Sequence, residues 1–425
     1  MTGSRRSNVV HRTVRRAVVA GAAAVAMLAA VLAGCSSDES GSAPSSTEES
    51  STEASTTTTT TSSIAPFAGP GDFYDVPDPL PEGEPGELVR YERIDTPDVT
   101  DRVRYRVMYH SRDAMDRDAA VTGLVSVPTG EAPEGGWPTL SWGHGTVGLA
   151  PACAPSRDGG GLPAFGTDGI LVASDYVGLG PNGQVHAYLS GEAEGHSVID
   201  IVRAARQLPD VEASDEWTTV GTSQGGHAVL FAGELASDYA PELDLVGTVA
   251  MAPGSNLDQT YPGDVPLTIN AVKAMAIYGM AVDHPEIRPE DYATPALVEL
   301  AEQMKVRCLG DLTAQIAAMP TDGYWTVDPL TTDVGRKVSQ ANSPGRVAAD
   351  APVLLVQGDK DIVVSPARTQ ALFESMCEAG QVVELEVVPD GGHDMKTMEA
   401  ARDTIESWLQ ARLDGEPAPD GCPDT

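Results

Sequence analysis

The sequence predicts an α/β protein, a mostly parallel sheet with helices on both faces and one inserted helical subdomain. Three observations predict it. Beyond about residue 64, short continuous apolar runs alternate with helix-periodic segments, the pattern of strands buried on both faces. Between about 254 and 345 the alternation stops and helical periodicity continues without strands. A chain of 425 residues, 41% hydrophobic, can bury the core of one large domain with insertions.

Taken in order, residues 1–35 read as an export signal. An arginine-bearing start (Arg5, Arg6, Arg12, Arg15, Arg16) precedes an apolar run over 17–34, which ends in "LAGC" at 32–35. That ending resembles the lipobox of bacterial lipoproteins, and the resemblance implies that Cys35 is lipidated and becomes the mature N-terminus. The competing reading is an uncleaved anchor, since eighteen apolar residues almost span a bilayer. The pairs Arg5-Arg6 and Arg15-Arg16 permit a twin-arginine export route. Residues 36–66 form a Ser/Thr-rich tether too poor in apolar side chains to offset the entropy of ordering.

The body begins with an antiparallel pair expected at "RVRYRVMY" (102–109) and "AAVTGLVSVP" (119–128). Further strands are expected at 138–143, 169–176, 217–221, 245–253, 352–359 and 382–389, and helices at 195–208, 224–236, 365–380 and 395–413. The insertion, 254–345, divides the core into 67–253 and 346–425 and is expected to be helical at 267–282 and 295–319. In the second segment Leu297, Leu300, Met304 and Cys308 recur as one apolar stripe. An insertion after the strand at 245–253 can cover the carboxyl ends of the strands, where open α/β sheets bind ligands. Its methionines (Met275, Met280, Met304, Met319) suit either an adaptable acyl tunnel or ordinary core packing.

The chemistry centres on Gly221-Thr222-Ser223-Gln224-Gly225, placed between an expected strand and an expected helix. In that context Gly-x-Ser-x-Gly marks the nucleophile turn of the α/β-hydrolase fold, where the serine oxygen is pushed outward and its flanking residues must be small. A serine needs a base and the base needs a carboxylate, in the chain order Ser, acid, His. Asp361, in the loop of "QGDKDIVVSP", and His393, in "PDGGHDM", supply them, with Asp359 as the alternative acid and Asp394 as a helix cap. His144, His186 and His196 precede the serine, His11 lies in the signal, His110 and His284 lie outside the strand ends, and His227 packs beneath the turn. Oxyanion donors are expected from the backbone of Gln224 and from Gly145 or Thr146, in the small-residue loop after the strand at 138–143. No His-Glu-x-x-His or Cys-x-x-Cys pattern occurs, so no metal and no cofactor is expected.

Six ordered blocks, "SWGHGTVGLAPACAPS", "VASDYVGLG", "HAYLSG", "GTSQGGHA", "QGDKDIVV" and "GGHD", resemble the secretory lipase family of the fungal lipase A type from about Asp72 to Cys422. The resemblance implies an α/β-hydrolase with a helical lid and a triad of Ser223, Asp361 and His393. It also implies bridges Cys153–Cys308 and Cys377–Cys422, among three connectivities that spacing alone leaves open for an exported protein. The fungal members carry an acidic segment where this chain has "GHGT" at 143–146, so the side-chain part of their oxyanion hole does not carry over.

The expected function is hydrolysis of carboxylic esters, as a lipase or esterase, through a serine acyl-enzyme. Acyl transfer on the same triad, or surface binding by a catalytically dead scaffold, are the alternatives. Formal charge is −35, about −40 without the five signal arginines, which repels nucleic acid and anionic headgroups. The expected partners are therefore lipid or small ester substrates, with no nucleic acid and with membrane contact only through the N-terminal lipid. The protein is expected to be exported, anchored on the outer face of the cell membrane, and monomeric.

Overall fold

A computed structural model describes residues 64–96, 99–163, 168–264 and 266–423. The signal, Cys35 and nearly all of the tether lie outside the described residues. The end of the expected tether does not: Ile64 is half-buried against the core.

Among the described residues nine strands form one sheet: β1 (Leu88–Ile94), β2 (Arg102–Arg112), β3 (Asp118–Pro128), β4 (Trp137–Gly143), β5 (Ile170–Ser174), β6 (Ala213–Thr222), β7 (Asp244–Met251), β8 (Val353–Gly358) and β9 (Val383–Val388). Their order is β1-β2-β3-β5-β4-β6-β7-β8-β9. The pairings from β1 to β5 through β2 and β3 are antiparallel, and all the others are parallel. The expected opening pair is β2–β3, in register from Arg102↔Pro128 to Arg112↔Asp118. Sequence reasoning missed β1. It is an edge strand in which Arg90, Glu92 and Arg93 dilute the apolar pattern, and only its pairing with β2 holds it.

The central strands are buried on both faces because helices cover both. Helix α1 (Gly191–Ala205) and α2 (Gln224–Tyr239) lie against a core that includes Val172, Ile199 and Trp217. On the other face α8 (Met395–Leu413) sets Ile405 and Leu409 against Leu140, Val220 and Val249. Each fully buried aliphatic side chain there contributes roughly 1.5–3 kcal/mol. Helix α7 (Pro366–Glu378) completes the core set. Helix α1 starts four residues before the sequence suggested, since its opening residues include Gly191 and Gly195, poor helix formers. Tertiary packing explains them: a Cβ on Gly191 would meet the Phe231 ring at 2.3 Å.

Between β7 and β8 the chain forms α3 (Pro266–Met280), α4 (Pro295–Met304), α5 (Leu309–Ala318) and α6 (Asp333–Ala341), with no strand of the sheet among the described residues. These helices enclose a second apolar core that includes Ile277, Leu297, Leu300, Met304 and Tyr324. The single helix expected over 295–319 is two helices. Leu297, Leu300 and Met304 are buried as one stripe, but Cys308 leaves it and caps α5, drawn aside by its bridge to Cys153. The short α6 was not anticipated.

Candidate active site

Ser223 joins β6 to α2 with φ 57° and ψ −115°, a region that costs a non-glycine residue about 1–3 kcal/mol. Three hydrogen bonds hold it there: its N–H donates to the Met251 carbonyl (2.9 Å), and its carbonyl accepts from His227 and Gly254 N–H (3.1 Å each). The neighbouring glycines are required by close backbone approach. A Cβ on Gly221 would lie 2.2 Å from the Gly225 oxygen, and one on Gly225 would lie 1.9 Å from the Gly143 oxygen.

At the end of β8, Asp361 has its carboxylate buried. Its Oδ1 accepts from the N–H groups of Val363 (2.7 Å) and Val364 (2.9 Å), and its Oδ2 lies 2.7 Å from Nδ1 of His393, in the loop after β9. The two backbone donors fix the carboxylate, and the carboxylate fixes the ring's orientation. Asp359 makes no contact of this kind; its Oδ2 lies 3.3 Å from Lys360 Nζ. Asp394 caps α8, accepting from Lys396 and Thr397 N–H at 3.1 and 3.0 Å.

Ser223, Gln224, Gly145, Thr146 and His393 all line one cavity of about 690 Å³. Gln224 is the first residue of α2, so its N–H has no partner within the helix and the helix dipole favours negative charge beside it. A Cβ built on Gly145 would lie 4.0 Å from that of Ser223, which brings the loop after β4 beside the serine. The Thr146 hydroxyl is 2.9 Å from that of Tyr188.

The cavity continues into the insertion, where Met275, Ala276, Ile277 and Met280 of α3 and Leu309 and Ile316 of α5 face it. All four methionines pack in the insertion's own core, and Met275 and Met280 also line the cavity, so the two roles weighed for them overlap. The lysine and the arginine on the wall are neutralised. Lys273 Nζ lies 3.0 Å from Asp328, and Arg368 pairs with Asp264 at 2.7 Å. The remaining surface suits an uncharged, apolar ligand.

Both disulfides are present: Cys153–Cys308 joins the loop after β4 to the start of α5, and Cys377–Cys422 joins α7 to the C-terminal segment. Beside the first, Leu309 N–H donates to the Val147 carbonyl at 2.8 Å. The cover of the cavity is thereby clamped to the loop that carries Gly145 and Thr146.

Sequence reasoning missed what lies beneath the serine. His227 is buried as expected, but its partner there is Glu194, at 2.8 Å. Glu194 belongs to no motif and precedes the expected start of its helix, so only the fold identifies it.

A family model described as secretory lipase matches residues 166–421. Lipase A of Arthroderma benhamiae is 24% identical over 400 residues, covering 82% of this chain and 80% of that protein. The secreted triacylglycerol lipase LIP4 of Malassezia globosa is 26% identical over 251 residues, 56% of this chain and 54% of its own. Among solved structures, Candida antarctica lipase A in its closed state superposes with a TM-score of 0.68 at 17% identity, over 83% of this chain and 87% of that one.

Proposed function

We propose, from the premise that this chain belongs to the secretory lipase family and is a carboxylic-ester hydrolase, that Ser223, His393 and Asp361 are its catalytic triad and that the covered cavity receives the acyl chain of a lipid-like ester. One observation carries the reading. The strained serine opens onto the same cavity as a histidine whose far nitrogen is held by a buried, doubly hydrogen-bonded carboxylate. His393 takes the Ser223 proton as the oxygen attacks the ester carbon. The N–H groups of Gln224 and of Gly145 or Thr146 receive the oxyanion, and His393 returns the proton to the departing alcohol. Water, deprotonated by His393, then releases the acid from the acyl-enzyme.

A cavity of about 690 Å³ falls within the range of roughly 300–1,000 Å³ usual for small-molecule sites. Its apolar extension under α3 and α5 favours long acyl chains over acetyl. Membership of a secretory family and two disulfides agree with action outside the cytoplasm.

Hydrolysis of nitrophenyl esters from acetate to palmitate, measured beside Ser223→Ala, tests the proposal. The variant should lose at least about 10⁴-fold in kcat, with the intact protein preferring the longer chains. A variant as active as the parent would remove Ser223 from the mechanism, and an optimum at acetate would remove the acyl role of the cavity.

A further inference from the structure

We infer that Glu194 is a positioning residue for the oxyanion donor: its buried carboxylate holds the side chain of Gln224, and with it the backbone N–H that follows Ser223. The inference rests on the catalytic reading above and adds a residue outside the triad.

Glu194 lies in the first turn of α1 and is 1% exposed. Its Oε1 accepts from Leu189 N–H at 2.9 Å and from Gln224 Nε2 at 2.7 Å. Its Oε2 is 2.8 Å from Nδ1 of His227, whose Nε2 is 2.9 Å from the Asn342 carbonyl. Both nitrogens of His227 thus face acceptor oxygens, and the imidazole is the buried carboxylate's partner. An unpaired carboxylate could not remain at this depth.

The second hydrogen of the Gln224 amide points at His186, whose Nε2 lies 2.6 Å from Gln224 Nε2. The other nitrogen of His186 donates to the Val177 carbonyl at 2.8 Å, and burial pushes the ring's pKa down to about 4, so it is neutral and Nε2 is free to accept. The amide is therefore bracketed by two acceptors, and a flipped amide would set its oxygen against both. In the orientation this imposes, Gln224 Oε1 is buried without a partner. An apolar side chain of similar length would fill the space without that cost. What the bracket secures instead is the rotation of Gln224 about its own backbone, at the residue whose N–H must meet charge only as the transition state forms.

Nitrophenyl butyrate turnover by the full chain, expressed per serine titrated to completion with a fluorophosphonate, tests this. Glu194→Leu removes both acceptors and should lower kcat by about 10- to 100-fold while KM stays within about twofold, part of the 10²–10³ attached to a whole oxyanion donor. Glu194→Gln can still accept from Leu189 and Gln224 and donate to His227, and should recover kcat to within about threefold of the parent. Gln224→Met keeps the backbone N–H and should reproduce the loss, with no further fall when combined with Glu194→Leu. A Glu194→Leu protein that melts lower but turns over normally per titrated serine would make Glu194 merely structural, and a Glu194→Gln protein as impaired as Glu194→Leu would make charge rather than position the cause. Either result overturns the inference. If Glu194→Leu does not fold, full kcat in Gln224→Met overturns it equally. Failure of the catalytic reading itself would show separately, as turnover surviving Ser223→Ala.

Discussion

The sheet core and the inserted helices meet at one cavity but are built to different tolerances. Around Ser223 the backbone is packed so closely that single hydrogens on glycine decide the geometry: Gly143, Gly221 and Gly225 approach one another with no room for a Cβ. The insertion faces the same space with Met275, Ala276, Ile277 and Met280, of which the two methionines are unbranched side chains that can change rotamer without moving a backbone. The difference assigns precision to the chemistry and adaptability to the substrate. A serine displaced by an ångström loses its alignment, whereas an acyl chain displaced by an ångström still finds apolar wall.

The largest effect should come from breaking the tight region. Gly225→Ala places a methyl 1.9 Å from the Gly143 oxygen, which must separate β4 from α2. We expect at least about a 100-fold loss of esterase activity and a destabilisation of about 1–3 kcal/mol, read by kinetics and thermal unfolding. Parental activity in this variant would end the claim that backbone contact sets the turn. A smaller and selective effect should follow Ala276→Leu, which fills cavity space on α3. The expected result is about a tenfold lower kcat/KM for palmitate esters, acetate unchanged within about twofold, and little change in Tm. Equal losses on both esters would mean that α3 shapes the chemistry and would erase the contrast.

The smallest effect concerns the seam where the insertion returns to the core. Glu234 of α2 accepts from Gly345 N–H at 2.6 Å, and burial, opposed by that hydrogen bond, raises its carboxyl from 4.5 to about 7. A folded-state pKa above the unfolded value means that protonation favours the folded protein. This contribution is complete below about 4.5 and is lost as pH rises through about 7. Glu234→Gln keeps the acceptor and cannot ionise, so its Tm should gain on the parent's between about pH 5 and about pH 8. A pH-independent difference between the two would show that Glu234 does not titrate in that window.

Much of the core was legible because it rests on local rules. Apolar runs bounded by turn residues located eight of the nine strands, and the chain order Ser, acid, His, combined with position in the loops that end two strands, singled out His393 as the base and Asp361, with Asp359 as the alternative, as the acid. The Asp361–His393 contact then separates Asp361 from its neighbour Asp359. The exceptions share a cause: β1, the early start of α1 and the break at Cys308 each depend on a contact with another segment, β2 for the first, Phe231 for the second and Cys153 for the third. Glu194 was invisible for the same reason: it lies one residue before the expected start of its helix, in no motif, and only the fold buries it against Gln224 and His227.

The sequence by itself determined the alternation that makes the sheet, the glycine spacing that permits the turn at Ser223, and the identity of the residues at the strand ends, because periodicity and steric size act over a few neighbouring residues. Spacing left the cysteine pairing open and only the family resemblance named it; tertiary structure brought those cysteines together, and it alone decided where the insertion divides into helices, which methionines line the cavity, and that a glutamate is buried against the residue after the serine. Those outcomes depend on contacts between segments as much as 155 residues apart, as at Cys153–Cys308, and no local propensity encodes a contact at that separation.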